Sequence, residues 1–367
     1  MSAQRSATDD QDPPPSAERG IGDPLVSVVL TAYGPSPYLP EALDSALHQT
    51  LDPTRYEVVV VTDRTRPGLQ DLAGTTSARP VVRTVPCSSA GKGEFFAAGI
   101  RACRGSILSF LNDDDRWFPD KLEAVARWMT GNAPADYHRH ESRYFDVDPT
   151  VPIRALSFAH LPGRSSGGAR ILRQSSGRWT PALVSSAWGF NDSSISIRRS
   201  IALAALPYLA RIEASEDTFL LFAALCLGGT LVAERRVRAA YRVHSRNSSL
   251  AGSGAWTPET RGRAEREFEM REEMFRVAGT MVGELSPTRR DVLAMARRGL
   301  HAAGLASCLS REEVRPRELL SGLLTLLPDW RAVDPLLNLG LAGLGGLGVA
   351  APRLTQRLLL LYGKRLN

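Results

Sequence analysis

The chain has 367 residues, 43% hydrophobic and 23% charged, enough apolar material for a sizeable core in one large domain or two. Its formal net charge is +6 and all but three of its 45 cations are arginines, a balance that suits anionic partners such as nucleotides, phospholipid surfaces or lipid-linked phosphates. No arrangement of basic and aromatic residues marks a nucleic-acid reader. The four scattered cysteines form no C-x-x-C pair, which argues against zinc or a redox dithiol and fits a reducing cytoplasm.

Residues 1–24 are polar and rich in proline and charge, with no apolar run of a signal peptide, and are expected to be a disordered tail. Order is predicted from Leu25. Val26 to Tyr33 is a β-branched apolar run, as a strand buried on both faces requires. After a Gly-Pro-Ser-Pro turn, Leu39, Ala42, Leu43, Ala46 and Leu47 follow helical spacing within Tyr38 to Thr50. Tyr56 to Asp63 reads as a second buried strand, Val81 to Val85 as a short one, and Gly91 to Gly105 as a helix closed by its glycine. Ser106 to Leu111 is a further buried strand, and Pro119 starts a helix through Met129. Strand and helix alternate, which predicts an α/β fold with a mostly parallel central sheet.

Such sheets bind ligands beyond the carboxyl ends of their strands. Three strand ends carry polar residues: Thr31-Ala32-Tyr33, Thr62-Asp63 and the run LNDDDRW over 111–117. Asp113, Asp114 and Asp115 side by side repel one another unless something positive neutralises them. A hard divalent cation answers that need, and so does a solvated acidic turn.

Beyond Asp136 the pattern blurs. His138 and His140 fall on one side of a strand with no third ligand in view, so a metal there is not favoured. The 160s and 170s, rich in Gly, Ser and Arg, read as a long loop, a candidate lid. Phe190 to Arg199 reads as a strand, Glu213 to Gly229 as a helix with an acidic first turn, and Val237 to Val243 as a strand leading into YRVHSRNSS. Past Ala251 the sequence turns helical: Pro258 to Leu285, then a helix started by Ser286-Pro287 and running to Leu309, then Pro316 to Leu327. The apolar run Leu336 to Ala351 is shorter than the ~20 residues a spanning helix needs. The leucines and cations of RLTQRLLLLYGKR suit either an interfacial membrane contact or packing on the first domain or another subunit.

In order and spacing, five blocks between Leu25 and Ser249 resemble the family 2 glycosyltransferases of GT-A fold. They are VSVVLTAYGPSPYLPEALDSALHQT, YEVVVVTD, SSAGKGEFFAAGIRACRGSILSFLNDDDRWFPDKLE, SEDTFLLFAALCLGG and YRVHSRNSS. The resemblance implies a GT-A domain over 25–252 followed by a helical lobe over 253–367, with transfer of a sugar from a nucleotide-diphosphate sugar and inversion at the anomeric carbon. By that resemblance, Thr31, Ala32 and Tyr33 line the base and ribose pocket. Asp63 meets the base, Lys92 lies near the phosphates, and Asn112 and Asp113 belong to the donor site. Asp114, Asp115 and His244 are the candidate ligands of a divalent cation, Mn or Mg. Asp217 is the implied general base, with Glu216 beside it. The acceptor is a glycan, a lipid-linked sugar or a protein, as in surface polysaccharide or glycoconjugate assembly.

The sequence departs from that family in two places. Asn112 stands where the first acid of a DxD signature is expected, and Thr62 replaces one of a paired acid. The Gln-x-x-Arg-Trp pattern of processive synthases is absent from its expected place, which implies single-sugar addition. Two rival readings are a degenerate module that binds nucleotide or scaffolds an assembly, and a sugar nucleotidyltransferase. The latter needs a basic glycine-rich loop after the first strand, where this chain has Gly34-Pro35-Ser36-Pro37.

Overall fold

The computed structural model describes residues 23–63, 80–89, 91–131, 134–146, 168–174, 191–244, 247 and 258–310. The N-terminal tail, most of the loop of the 160s and 170s, Arg178-Trp179, the helix predicted at 316–327 and the apolar C-terminal segments lie outside them.

Among the described residues, nine strands form one sheet: β1 (Val26–Ala32), β2 (Tyr56–Thr62), β3 (Val81–Pro86), β4 (Ile107–Asn112), β5 (Arg116–Trp117), β6 (Tyr137–Phe145), β7 (Ala169–Arg173), β8 (Ile195–Arg198) and β9 (Thr230–Arg242). Their order is β3-β2-β1-β4-β8-β6-β9-β5, with β7 added on β9. The first four are parallel throughout. Beyond β4 the sheet is mixed: β8 is antiparallel to both β4 and β6, while β6 and β9 run parallel.

Every residue of β1 and β2 is buried. Their valines divide by parity: Val58 and Val60 face one core cluster and Val59 and Val61 the other, as the two-residue period of a strand requires. The first cluster is completed by α1 (Leu39–Leu47) and α3 (Lys121–Thr130). The second is completed by α2 (Lys92–Ala102), α4 (Arg199–Leu209) and α5 (Glu216–Leu227), and continues into α6 (Pro258–Leu285) and α7 (Arg290–Ser310). The helices after residue 253 therefore share a core with the α/β domain, with the Phe222 and Phe275 rings edge to face at 5.8 Å. No helix of the described residues is long and apolar enough to cross a membrane.

Three boundaries differ from the sequence expectation. Only Ile195–Arg198 of the predicted 190–199 strand is a strand. Asp192–Ser194 is a 3-10 turn capped by Asn191, whose side chain accepts from the Ser193 N–H. Ser286 and Pro287 lie in the turn before α7, which starts at Arg290, because the Arg289 and Ser286 backbones close that turn first. The glycine-terminated helix ends at Ala102, and Gly105 instead meets Ser27, whose hydroxyl accepts its N–H at 2.8 Å.

Candidate active site

The strand order reverses between β1 and β4, and a crevice opens there at their carboxyl ends. Thr31 and Asn112 are register partners on these strands, and the Thr31 hydroxyl donates to Asn112 Oδ1 at 3.4 Å. An open cleft of about 530 Å³ lies above them. It is lined by the strand ends Thr31, Tyr33, Asn112, Asp113 and Asp114, by Lys92, Phe95 and Phe96 of α2, by Glu216 of α5, and by Tyr241 and Asn247.

Tyr33 is half exposed, with its ring edge-on to Phe95 at 5.1 Å, so an aromatic face stays available to a flat ligand. Gly34 follows in the left-handed region (φ +67°), which lets the chain turn sharply off the strand. Ala32 is fully buried and does not reach the cleft. Asp63 directly follows β2 one strand over and is likewise outside the described lining.

The three aspartates separate. Asp113 and Asp114 face the cleft. Asp115 is 1% exposed and turned into the protein, where Asn191 Nδ2 (3.0 Å), the Ser193 hydroxyl (2.6 Å) and the Arg242 N–H (3.1 Å) all donate to it. Burial, and then the Asp114 charge, push its carboxyl up to about 8 against those donors. The structure therefore does not bring Asp115 to the other candidate ligands; it braces the turn that carries them.

Arg242, nearly buried, holds that turn from the far end of β9. Its Nε donates to the Asp114 carbonyl at 3.0 Å, its guanidinium pairs with Glu41 and Asp146, and it lies over the Tyr38 and Phe145 rings. Two residues on, His244 Nε2 sits 3.1 Å from Asp114 Oδ2, with its ring against Tyr38. His244 thus meets the cleft-lining Asp114, although His244, like Asp217, is not itself part of the described lining. No group of three such side chains able to hold a metal occurs among the described residues. A pair of this kind fits a divalent cation that completes its shell with phosphate oxygens and water rather than one held wholly by protein.

The opposite wall depends on a close helix approach. A Cβ on Gly93 would lie 2.2 Å from the Leu209 carbonyl oxygen and 2.6 Å from that of Ile212. Only glycine lets α2 press on this turn, where the Lys92 N–H donates to the Glu213 carbonyl at 3.1 Å. Lys92 Nζ then stands 3.8 Å from Glu216 Oε1. The Glu216 charge, followed by those of Asp192, Asp114 and Asp217, outweighs burial and raises the lysine. Burial raises the Glu216 carboxyl, opposed by Lys92.

Ser215 precedes this pair in left-handed backbone (φ 65°, ψ 37°), an uncommon conformation for a residue with a side chain. Asp217, in the first turn of α5, is only partly buried and accepts the Thr218 N–H at 2.6 Å.

Sequence reasoning missed Asn191, Asp192 and Ser193. The Ser193 hydroxyl accepts the Asn112 N–H at 3.0 Å, and its carbonyl accepts from Trp117 Nε1 and Lys121 Nζ. Asp192 is 7% exposed, accepts from Asn112 Nδ2 at 3.3 Å, and is raised well above its ordinary value by burial and then by Glu216 and Asp217. An Asn-Asp-Ser-Ser sequence favours a turn over a strand interior, and that signal was available.

An open α/β sheet with this switch-point cleft, its polar strand ends and its helices on both faces is the GT-A fold. Residues 27–195 match the family model described as Glycosyl transferase family 2. An uncharacterized glycosyltransferase of Rickettsia felis is 29% identical over 150 residues, which is 38% of this chain and 25% of that protein. The chain spans about a quarter or less of the length of the first curated relatives it matches. Among solved structures, S. aureus TarS 1-349 in complex with UDP superposes with a TM-score of 0.53 at 12% identity, over 89% of this chain and 91% of that one. A mannosyltransferase from Pyrobaculum calidifontis in complex with GDP-Man and Mn2+ gives 0.53 at 17% identity, over 93% and 88%.

Proposed function

We propose that the protein is a metal-dependent, inverting glycosyltransferase that moves one sugar from a nucleotide-diphosphate sugar to a glycan, lipid-linked or protein acceptor in surface glycoconjugate assembly. The observation that carries this reading is the cleft at the β1/β4 switch point, lined by Asp114, which pairs with His244 behind it, and by the Lys92–Glu216 pair. The nucleotide complexes of TarS and of the Pyrobaculum mannosyltransferase support it, as does the Mn2+ in the latter.

In this reading Tyr33 offers its ring to the base, while Thr31 and Asn112 meet the ribose and Asp113 bounds the donor site. Asp63 is proposed to reach the base from the end of β2. A divalent cation held by Asp114 and His244 would supply positive charge to the departing diphosphate. Lys92, kept protonated by Glu216, places a fixed cation on the same leaving group. The attacking hydroxyl must lose its proton as it forms the new bond. Asp217, the partly exposed member of the acidic pair, is positioned to receive that proton from an acceptor arriving from solvent. Glu216 is engaged with Lys92 and serves the donor side.

Calorimetric titration with UDP and GDP, with and without Mn2+ or Mg2+, tests the reading. One nucleotide should bind in a metal-dependent manner, and Asp114→Ala should abolish that dependence. Well-folded protein that binds neither nucleotide under any of these conditions would overturn it.

A further inference from the structure

Asn112 is hydrogen-bonded on both ends of its amide. Its Nδ2 donates to Asp192 Oδ2 at 3.3 Å and to Asn191 Oδ1 at 3.4 Å, behind the cleft wall. Its Oδ1 accepts from Thr31 Oγ1, and both residues line the cleft. The amide is therefore oriented: N–H groups inward to a buried carboxyl, carbonyl oxygen toward the Thr31 side. A carboxylate at 112 would present an oxygen to the cleft in the same way. It would also set a second acid directly against Asp192, whose Oδ2 lies 3.3 Å from the Asn112 amide nitrogen.

Two carboxylates this close in a buried site cannot both stay ionised without cost. An amide avoids that conflict and still offers the cleft an acceptor, but only while something accepts its N–H groups and keeps it from turning over. Asp192 is the acceptor in that place, and the 3-10 turn 192–194, capped by Asn191 and tied to Asp115 through Ser193, fixes where it stands.

We propose that Asp192 is a positioning residue that holds the Asn112 amide with its carbonyl oxygen toward the donor cleft, so that the acid missing from position 112 is carried, one side chain away, by position 192. The proposal rests on the nucleotide-binding reading of the cleft. It predicts that acid and amide are exchangeable between the two positions, but that two acids are not tolerated.

The test is a double-mutant cycle with Asn112→Asp, Asp192→Asn and the double variant, read by UDP and GDP affinity in Mn2+ and by thermal melting. Asn112→Asp should weaken nucleotide binding by about tenfold or more and lower the melting temperature, because a second carboxyl then meets Asp192 in a buried place and the N–H donors of the amide are lost. Asp192→Asn keeps an acceptor oxygen and should weaken binding by about threefold or less. The double variant should recover to within about threefold of the parent, a non-additivity that a merely structural Asp192 would not produce.

Asn112→Asp binding within twofold of the parent, or a double variant no better than Asn112→Asp, would overturn the proposal. If the parent binds neither nucleotide, the glycosyltransferase reading fails by itself. The pairing is then decided by melting, where recovery in the double variant supports it and additive losses reject it.

Discussion

Glu234 is the carboxylate on which the last strand is anchored, and its replacement by glutamine should be costly. Its two oxygens accept from Arg238 Nε (2.8 Å) and Nη2 (2.6 Å), and His138 Nε2 lies 3.3 Å away. Arg238 is 1% exposed, with Asp120 as its other acidic partner at 2.8 Å. Burial pushes the Glu234 carboxyl upward, but the Arg238 hydrogen bonds, followed by His138, bring it down to about 2 from an ordinary 4.5. A carboxyl lowered on folding contributes stability that is fully present above about pH 4.5 and is lost as pH falls through about 2. That difference is worth roughly 3 kcal/mol at pH 7 and roughly 2 kcal/mol at pH 3.5. It agrees in size with the ~3–5 kcal/mol expected when a buried ion pair loses one partner. Urea unfolding of the parent and Glu234→Gln at both pH values measures it. A gap below about 1 kcal/mol at pH 7, or one that does not narrow at pH 3.5, would refute the reasoning.

The acidic pair should divide by function. Asp217→Asn should remove sugar transfer while nucleotide affinity stays within about twofold of the parent, whereas Glu216→Gln should weaken nucleotide binding by releasing Lys92, as calorimetry and turnover measured together will show. Gly93→Ala forces α2 off the 209–213 turn against backbone oxygens. It should lower stability by about 2 kcal/mol in chemical denaturation and reduce nucleotide affinity with it.

The parallel half of the sheet was legible because its strands are buried on both faces. Apolar runs such as Val58–Val61 have no other stable place. The strand ends Thr31, Tyr33, Asn112, Asp113 and Asp114 were legible for the same reason, since polar residues directly after such runs sit where the sheet stops. What periodicity could not show is which way each aspartate of a run turns. Asp115 points inward because Asn191, Ser193 and Arg242, between 76 and 127 residues further along the chain, offer it three donors. Asp192 was hidden by a strand reading that absorbed its turn. The mixed half of the sheet was less legible because β6 reads as YHRHESRYF, whose polar side chains are buried through tertiary partners such as Glu234.

The Arg242 contacts have a consequence for how the chain is born. The guanidinium reaches Glu41, 201 residues upstream, and the Asp114 carbonyl, 128 residues upstream. The stretch matched by the family model ends at 195, so Glu216, Tyr241, His244 and Asn247 have not yet emerged when its last residue leaves the ribosome. The nascent α/β half therefore emerges with its acidic turn unclasped. The Arg242 clasp on the acidic turn is set only when β9 pairs beside β6, a contact of high sequence separation of the kind that slows folding.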